Sequence, residues 1–100
     1  MASPIKTETG KVIGSYEGRS IIHLEESNTW LFIEMMCGSD LEPEMELRGF
    51  QPGNDYYQLE YSPDLCFNPW IGVIVEGDEA EVRERMAILK QQTSNPFLFF

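Results

Sequence analysis

The segment EGDEAEVRERMAILKQQ, at residues 76–92, gives the clearest structural signal in the chain. Asp78 is placed to cap a helix, and Glu81 follows three residues later, as in a capping box. Apolar residues then recur at helical spacing and form one stripe, made up of Val82, Met86 and Leu89. The pattern predicts a helix over about residues 79–92 whose apolar stripe packs against the rest of the fold.

Short β-branched and aromatic runs, separated by turn residues, precede this helix and predict antiparallel strands. The predicted strands cover residues 11–16, 20–24, 29–36, 56–61 and 70–77. Gly18 can take the positive φ of a tight hairpin turn between the first two strands. Residues 29–36 also suit a short helix ending at Gly38, but their aromatic and β-branched content favours a strand. We expect an α+β fold, in which a bent antiparallel sheet of about five to six strands in meander order carries one C-terminal helix.

Alternation of side chains assigns faces within these strands. Every second residue from Tyr57 to Tyr61 falls on one side, which predicts a half-buried strand. Every second residue from Ile71 to Val75 is apolar and should share one face of the last strand. Both faces of residues 29–36 are apolar, as in a central strand that is covered on both sides.

The chain has 100 residues, the usual length of one domain, and we expect residues 1–100 to form a single domain. Its hydrophobic fraction of 42% is too high for a disordered chain. No apolar run approaches the roughly 20 residues that a membrane-spanning helix needs, and the first residues lack the apolar stretch of a signal peptide. Cys37 and Cys66 could pair, but cysteines without such a signal are usually reduced, so we expect thiols in a cytoplasmic protein.

Negative charge is concentrated in the middle of the chain. Residues 25–80 contain thirteen acidic residues and one basic residue, Arg48, in a chain whose net charge is −10. Such a field repels nucleic acid and anionic lipid, and it attracts basic proteins. We therefore expect a basic protein surface as the partner, with no direct nucleic-acid binding and no membrane binding.

The stretch GSDLEPEMELR, at residues 38–48, holds acidic residues at alternate positions, namely Asp40, Glu42, Glu44 and Glu46. In an extended strand these side chains would project to one side while the apolar residues between them face the core. Pro43 cannot donate a ladder hydrogen bond, so such a strand must lie at a sheet edge. A solvated loop, a protected edge and a recognition surface all fit this pattern. A calcium loop fits poorly, because the glycine and the bidentate glutamate of an EF-hand are missing.

Motifs for catalysis or cofactor binding do not stand out in the sequence. His23 is the only histidine, and a single imidazole within a strand is more often structural than catalytic. Neither cysteine has the CxxC-type spacing of a zinc site. No glycine-rich phosphate-binding motif occurs. We therefore expect no catalytic residues, no cofactor and no metal.

Aromatic residues border the acidic stretch. Those expected to contact a partner, together with the four carboxylates named above, are Trp30, Tyr56, Tyr57 and Trp70. Filling of the core is the alternative role for these rings. The sequence thus favours a non-catalytic, acidic protein-binding module, such as an inhibitor, an immunity-type protein or a nucleic-acid mimic.

Two other function classes stay open. A small-ligand-binding protein or minor enzyme would need an apolar pocket between sheet and helix. A dimeric assembly or chaperone subunit would use the ending NPFLFF, in which Pro96 is followed by four apolar residues that end at Phe100. This ending would either dock into the fold as a short strand or mediate a homodimer.

Overall fold

The computed structural model describes residues 6–36 and 40–94, and six strands and one helix lie within them. The strands are β1 (Glu8–Tyr16), β2 (Arg19–Leu24), β3 (Thr29–Met35), β4 (Glu46–Phe50), β5 (Tyr56–Gln58) and β6 (Trp70–Gly77), and the helix is α1 (Glu79–Ser94). Neighbouring strands are antiparallel, in the order β4-β1-β2-β3-β6-β5. The predicted α+β architecture, a bent antiparallel sheet with a C-terminal helix, is confirmed.

The sheet curls until its two ends meet. Strands β1, β2 and β3 follow one another as a meander; β4 then pairs with β1 on one side, and β6 pairs with β3 on the other side with β5 outside it. Just after β5, the amide of Glu60 donates a hydrogen bond to the carbonyl of Arg48 in β4 at 2.9 Å. Gly49 permits this approach, because its φ is +98° and a Cβ there would lie 2.9 Å from the Glu60 nitrogen.

The inner face of the curled sheet holds the larger core cluster. Its members are Val12, Ile22, Leu24, Leu31, Ile33, Met35, Leu41, Leu47, Phe50, Tyr57, Leu59 and Ile71. They come from all six strands and from the segments beside β4 and β5, so residues far apart in sequence bury one another. Gly10 keeps room for this packing, since a Cβ at that position would lie 2.5 Å from both Ile22 and Phe50.

Helix α1 covers part of the outer face, on strands β2, β3 and β6. The predicted stripe makes this contact: Val82 and Met86 are buried, and Leu89 packs beside them. The sheet contributes Ile21, Trp30 and Phe32 to the same cluster. The Glu81 amide donates to the Asp78 carboxylate at 2.9 Å, which confirms the predicted cap. Both faces of β3 are therefore covered, as its apolar sequence predicted.

Two face assignments made from alternation are wrong. A bulge at Ile74 shifts the register of β6 against β3 and turns Val75 toward the helix, whereas Ile71 stays in the inner core. Strand β5 is only 3 residues long, so Tyr61 lies beyond it and is exposed, although Tyr57 is buried. An inserted residue and an early strand end both break a strict two-residue repeat.

Some predictions fall outside the described residues. These concern Cys37 and the ending that contains Pro96 and Phe100. Within the described part of the chain, no helix has the length and hydropathy needed to cross a membrane.

Candidate protein-binding surface

From Asp40 onward the acidic stretch is a turn followed by a strand, and the fully extended arrangement is not formed. Pro43 and Glu44 lie in the turn, where Glu44 has a φ of 75°, and β4 begins at Glu46. Two backbone hydrogen bonds, each 2.8 Å long, hold the turn against β1. The Glu44 amide donates to the Val12 carbonyl, and the Val12 amide donates to the Met45 carbonyl. The acidic side chains therefore do not form an evenly spaced row. Strand β4 lies at one end of the strand order, but Pro43 precedes it in the turn and so does not interrupt its hydrogen-bond ladder.

Three of the four predicted carboxylates line one open cleft of about 530 Å³. We call it the acidic cleft, and its lining residues are Asp40, Glu42, Pro43, Glu44, Met45, Asp64 and Leu65. Asp64 joins it from a segment that sequence reasoning did not single out. Glu46 lies apart from the cleft and lines separate depressions, one beside Lys11 and one beside Arg48.

Little positive charge compensates the acidic cleft. Lys11 Nζ lies 2.8 Å from Glu44 Oε2, and the hydrogen bond and the charge of Glu44 together raise the pKa of this lysine. Asp40 accepts a hydrogen bond from the Gly18 amide at 2.7 Å, which ties it to the β1–β2 hairpin. Across residues 6–36 and 40–94, Glu42 and Asp64 have no ion-pair partner. The cleft therefore presents a net negative field to solvent.

An exposed apolar groove of about 200 Å³ lies on the part of the sheet near β5. We call it the aromatic groove, and its lining residues are Met36, Tyr56, Phe67, Asn68 and Trp70. Tyr56 is 58% exposed and Trp70 is 43% exposed. Their rings stack with centroids 5.1 Å apart and an interplanar angle of 20°. The Met36 amide donates to the Trp70 carbonyl at 3.1 Å, so regular backbone pairing fixes the groove.

One turn, at residues 62–67, separates the acidic cleft from the aromatic groove. Asp64 and Leu65 face the cleft, and Phe67 at the end of the turn lines the groove. Ser62 is buried and pairs with Phe67, and its carbonyl also accepts a hydrogen bond from the Cys66 amide at 2.7 Å. The two surfaces therefore take lining residues from one hydrogen-bonded turn.

Trp30 and Tyr57 are buried, so a role in contacting a partner does not fit their place in the fold. Trp30 lies under α1, where its ring stacks on that of His23 with centroids 4.2 Å apart. The guanidinium carbon of Arg83 lies 5.6 Å from the centroid of the Trp30 ring. The His23 Nε2 atom lies 2.9 Å from Asn28 Oδ1, to which it can donate. His23 thus occupies a structural position among close neighbours.

Tyr57 points into the inner core. Burial raises the pKa of its phenol, and the charge of Glu76 adds to this rise. The hydroxyl makes no hydrogen bond to any residue that the structure describes. Of the four predicted aromatic contacts, Tyr56 and Trp70 are the two that lie on the surface.

Comparison with known proteins gives no relative from which a site could be carried over. The chain matches no protein family model, no curated protein and no solved structure. Within the described residues, no group of three or more histidine, cysteine, aspartate or glutamate side chains is arranged to hold a metal ion. Only the geometry and charge of the acidic cleft and the aromatic groove therefore bear on function.

Proposed function

We propose that this protein is a non-catalytic acidic module that binds a basic surface of another protein. The observation that carries the proposal is the junction of the acidic cleft and the aromatic groove at one turn. Carboxylates without partners attract cationic groups and speed encounter. An exposed aromatic pair supplies the kind of side chain that dominates binding energy once an interface buries it.

Solubility alone does not account for this arrangement. Surface carboxylates on their own often serve only to keep a protein in solution. A stacked pair of exposed rings has the opposite effect, because it leaves apolar area in water and favours association. Tyr56 and Trp70 beside the acidic cleft therefore support a contact surface. An inhibitor, an immunity-type protein or a nucleic-acid mimic would use such a surface to cover a basic groove on its target.

The test compares double variants with the same change in charge. Glu42→Gln with Asp64→Asn removes charge from the acidic cleft, and Glu25→Gln with Glu84→Gln removes it from exposed positions outside the cleft. Each protein is used to capture partners from native extract at low and high salt, and the association rate is then measured with the purified captured protein. We expect severalfold slower association for the cleft variant, while the control variant resembles the wild type. Equal rates for both double variants would contradict the proposal.

A second candidate function is small-ligand binding, and one observation favours it. A groove of about 320 Å³ lies between the β1–β2 hairpin and α1. Ile13, Ile21 and Met86 are among its apolar lining residues, and Arg83 and Lys90 border it, which suits a small anionic amphiphile. Titration with octanoate tests this function through the methyl resonances of Ile13 and Met86. Resonances that stay in place up to the solubility limit of octanoate would eliminate it.

A further inference from the structure

The aromatic groove has a lining that selects among possible occupants. Its residues are aromatic, apolar or amide-bearing, and none of them is charged. The rings of Tyr56 and Trp70 stack on each other, within 20° of parallel and with centroids 5.1 Å apart, so each ring keeps only its outer face as a flat surface. A flat aromatic surface accepts a planar group in stacking contact.

The acidic cleft beside the groove determines the sign of the occupant. Glu42 and Asp64, which have no ion-pair partner in the part of the chain that the structure describes, concentrate cations there. Among side-chain cations, the arginine guanidinium is planar, weakly hydrated and stacks on aromatic rings, whereas the lysine ammonium is compact and strongly hydrated. Methylated lysine is recognised by rings that surround it, and a near-parallel pair forms no such cage.

Asn68 adds a hydrogen-bond acceptor to the groove. Its side-chain nitrogen donates to the Leu59 backbone carbonyl at 3.4 Å, and its backbone carbonyl accepts a hydrogen bond from Gln58 Nε2 at 3.1 Å. No described residue donates a hydrogen bond to the side-chain oxygen, which leaves it as an acceptor for a guanidinium N–H. The same type of cation–ring contact already exists inside the protein, where the guanidinium carbon of Arg83 lies 5.6 Å from the centre of the Trp30 ring.

We propose that the aromatic groove binds an arginine side chain of the basic partner, stacked on the Tyr56–Trp70 pair, while a neighbouring cation of the same partner segment enters the acidic cleft. This inference rests on the proposed function and adds the residue type that the groove selects. Leu65 in the cleft and Phe67 in the groove are separated by Cys66 alone, so their Cα atoms lie at most about 7 Å apart. Alternate side chains of an extended segment are also roughly 7 Å apart, so we assign both cations to one short segment.

The test uses acetylated, amidated tetra-arginine and tetra-lysine peptides, titrated by calorimetry at low salt. A cation–ring contact at an exposed site corresponds to roughly two- to fivefold in affinity, so we expect tetra-arginine to bind more tightly by about that factor. Trp70→Ala should remove the difference between the peptides. Ile74→Ala is the matched control, because Ile74 is an exposed apolar residue of the same strand, and it should keep the difference.

The outcomes separate this inference from the proposed function. Equal affinity of the wild type for both peptides, with weaker binding of both by the Glu42→Gln and Asp64→Asn double variant, would overturn the arginine assignment alone. Failure of the wild type to bind either peptide would overturn both proposals. Trp70→Leu, which keeps an apolar side chain, replaces Trp70→Ala if circular dichroism shows that the alanine variant is unfolded.

Discussion

Replacing Gly49 with alanine should disrupt the contact that joins the two ends of the curled sheet. Gly49 has a φ of +98°, and an added Cβ would lie 2.9 Å from the backbone nitrogen of Glu60. A left-handed backbone costs a non-glycine residue about 1–2 kcal/mol, and overpacking against a neighbour costs about 1–3 kcal/mol more. The backbone shift would also stretch the 2.9 Å hydrogen bond from Glu60 to Arg48. We therefore expect the free energy of unfolding to fall by about 2–5 kcal/mol.

Urea unfolding, followed by circular dichroism, measures this loss. With a slope of about 1.5 kcal/mol per molar, the unfolding midpoint should fall by roughly 1.3–3.3 M. Gly53→Ala isolates the cost of the positive φ, because Gly53 has a φ of +91° and no atom of the described residues lies within 4 Å of an added Cβ. Gly14→Ala lacks both the positive φ and the close contact, so it should not destabilise the protein. If Gly49→Ala is no less stable than Gly53→Ala, the close approach of Glu60 to β4 is refuted.

Three further predictions follow from single contacts. Asp78→Ala should lower the free energy of unfolding by about 1 kcal/mol in the same urea assay, because the helix loses its cap. Asp78→Asn should retain most of the stabilisation that the cap provides. Burial raises the pKa of Tyr57 in the folded state. The stabilisation linked to its protonated phenol is therefore fully present below the unfolded-state pKa of about 10, and it is lost as pH rises through the folded-state pKa. Tyr57→Phe should therefore lose less stability above about pH 10 than the wild type, in unfolding curves recorded across that range. Lys11→Gln frees Glu44 from its ion pair and should tighten binding of tetra-arginine in calorimetry; weaker binding would show that the cleft does not attract cations.

Local patterns were sufficient to predict α1 and the hairpin. The cap at Asp78, the apolar stripe and the glycine of the β1–β2 turn each depend on residues within a few positions of one another. Strand positions were also predicted closely for β2, β3 and β6. The bulge at Ile74 could not be predicted, because an extra residue in one strand is defined only against its partner strand.

The candidate surface was predictable in part. The charges of Asp40, Glu42 and Glu44 were evident from sequence, but Asp64 reaches the same cleft only through the fold of the 62–67 turn. Which aromatic residues are exposed depends on strand register. Tyr56 and Tyr57 are adjacent in one strand, so their side chains point to opposite faces, and only one of them can remain on the surface when the inner face is filled.

The claim that the acidic cleft and the aromatic groove form one recognition surface is tested most directly by nuclear magnetic resonance. Tetra-arginine is titrated into isotopically labelled protein, and the amide and indole resonances are followed. We predict that the largest shifts occur at Asp64, Leu65, Phe67 and the Trp70 indole, with Glu84 on α1 unchanged. Shifts spread evenly over acidic positions, with Glu84 moving as much as Asp64 and the Trp70 indole unmoved, would contradict the account.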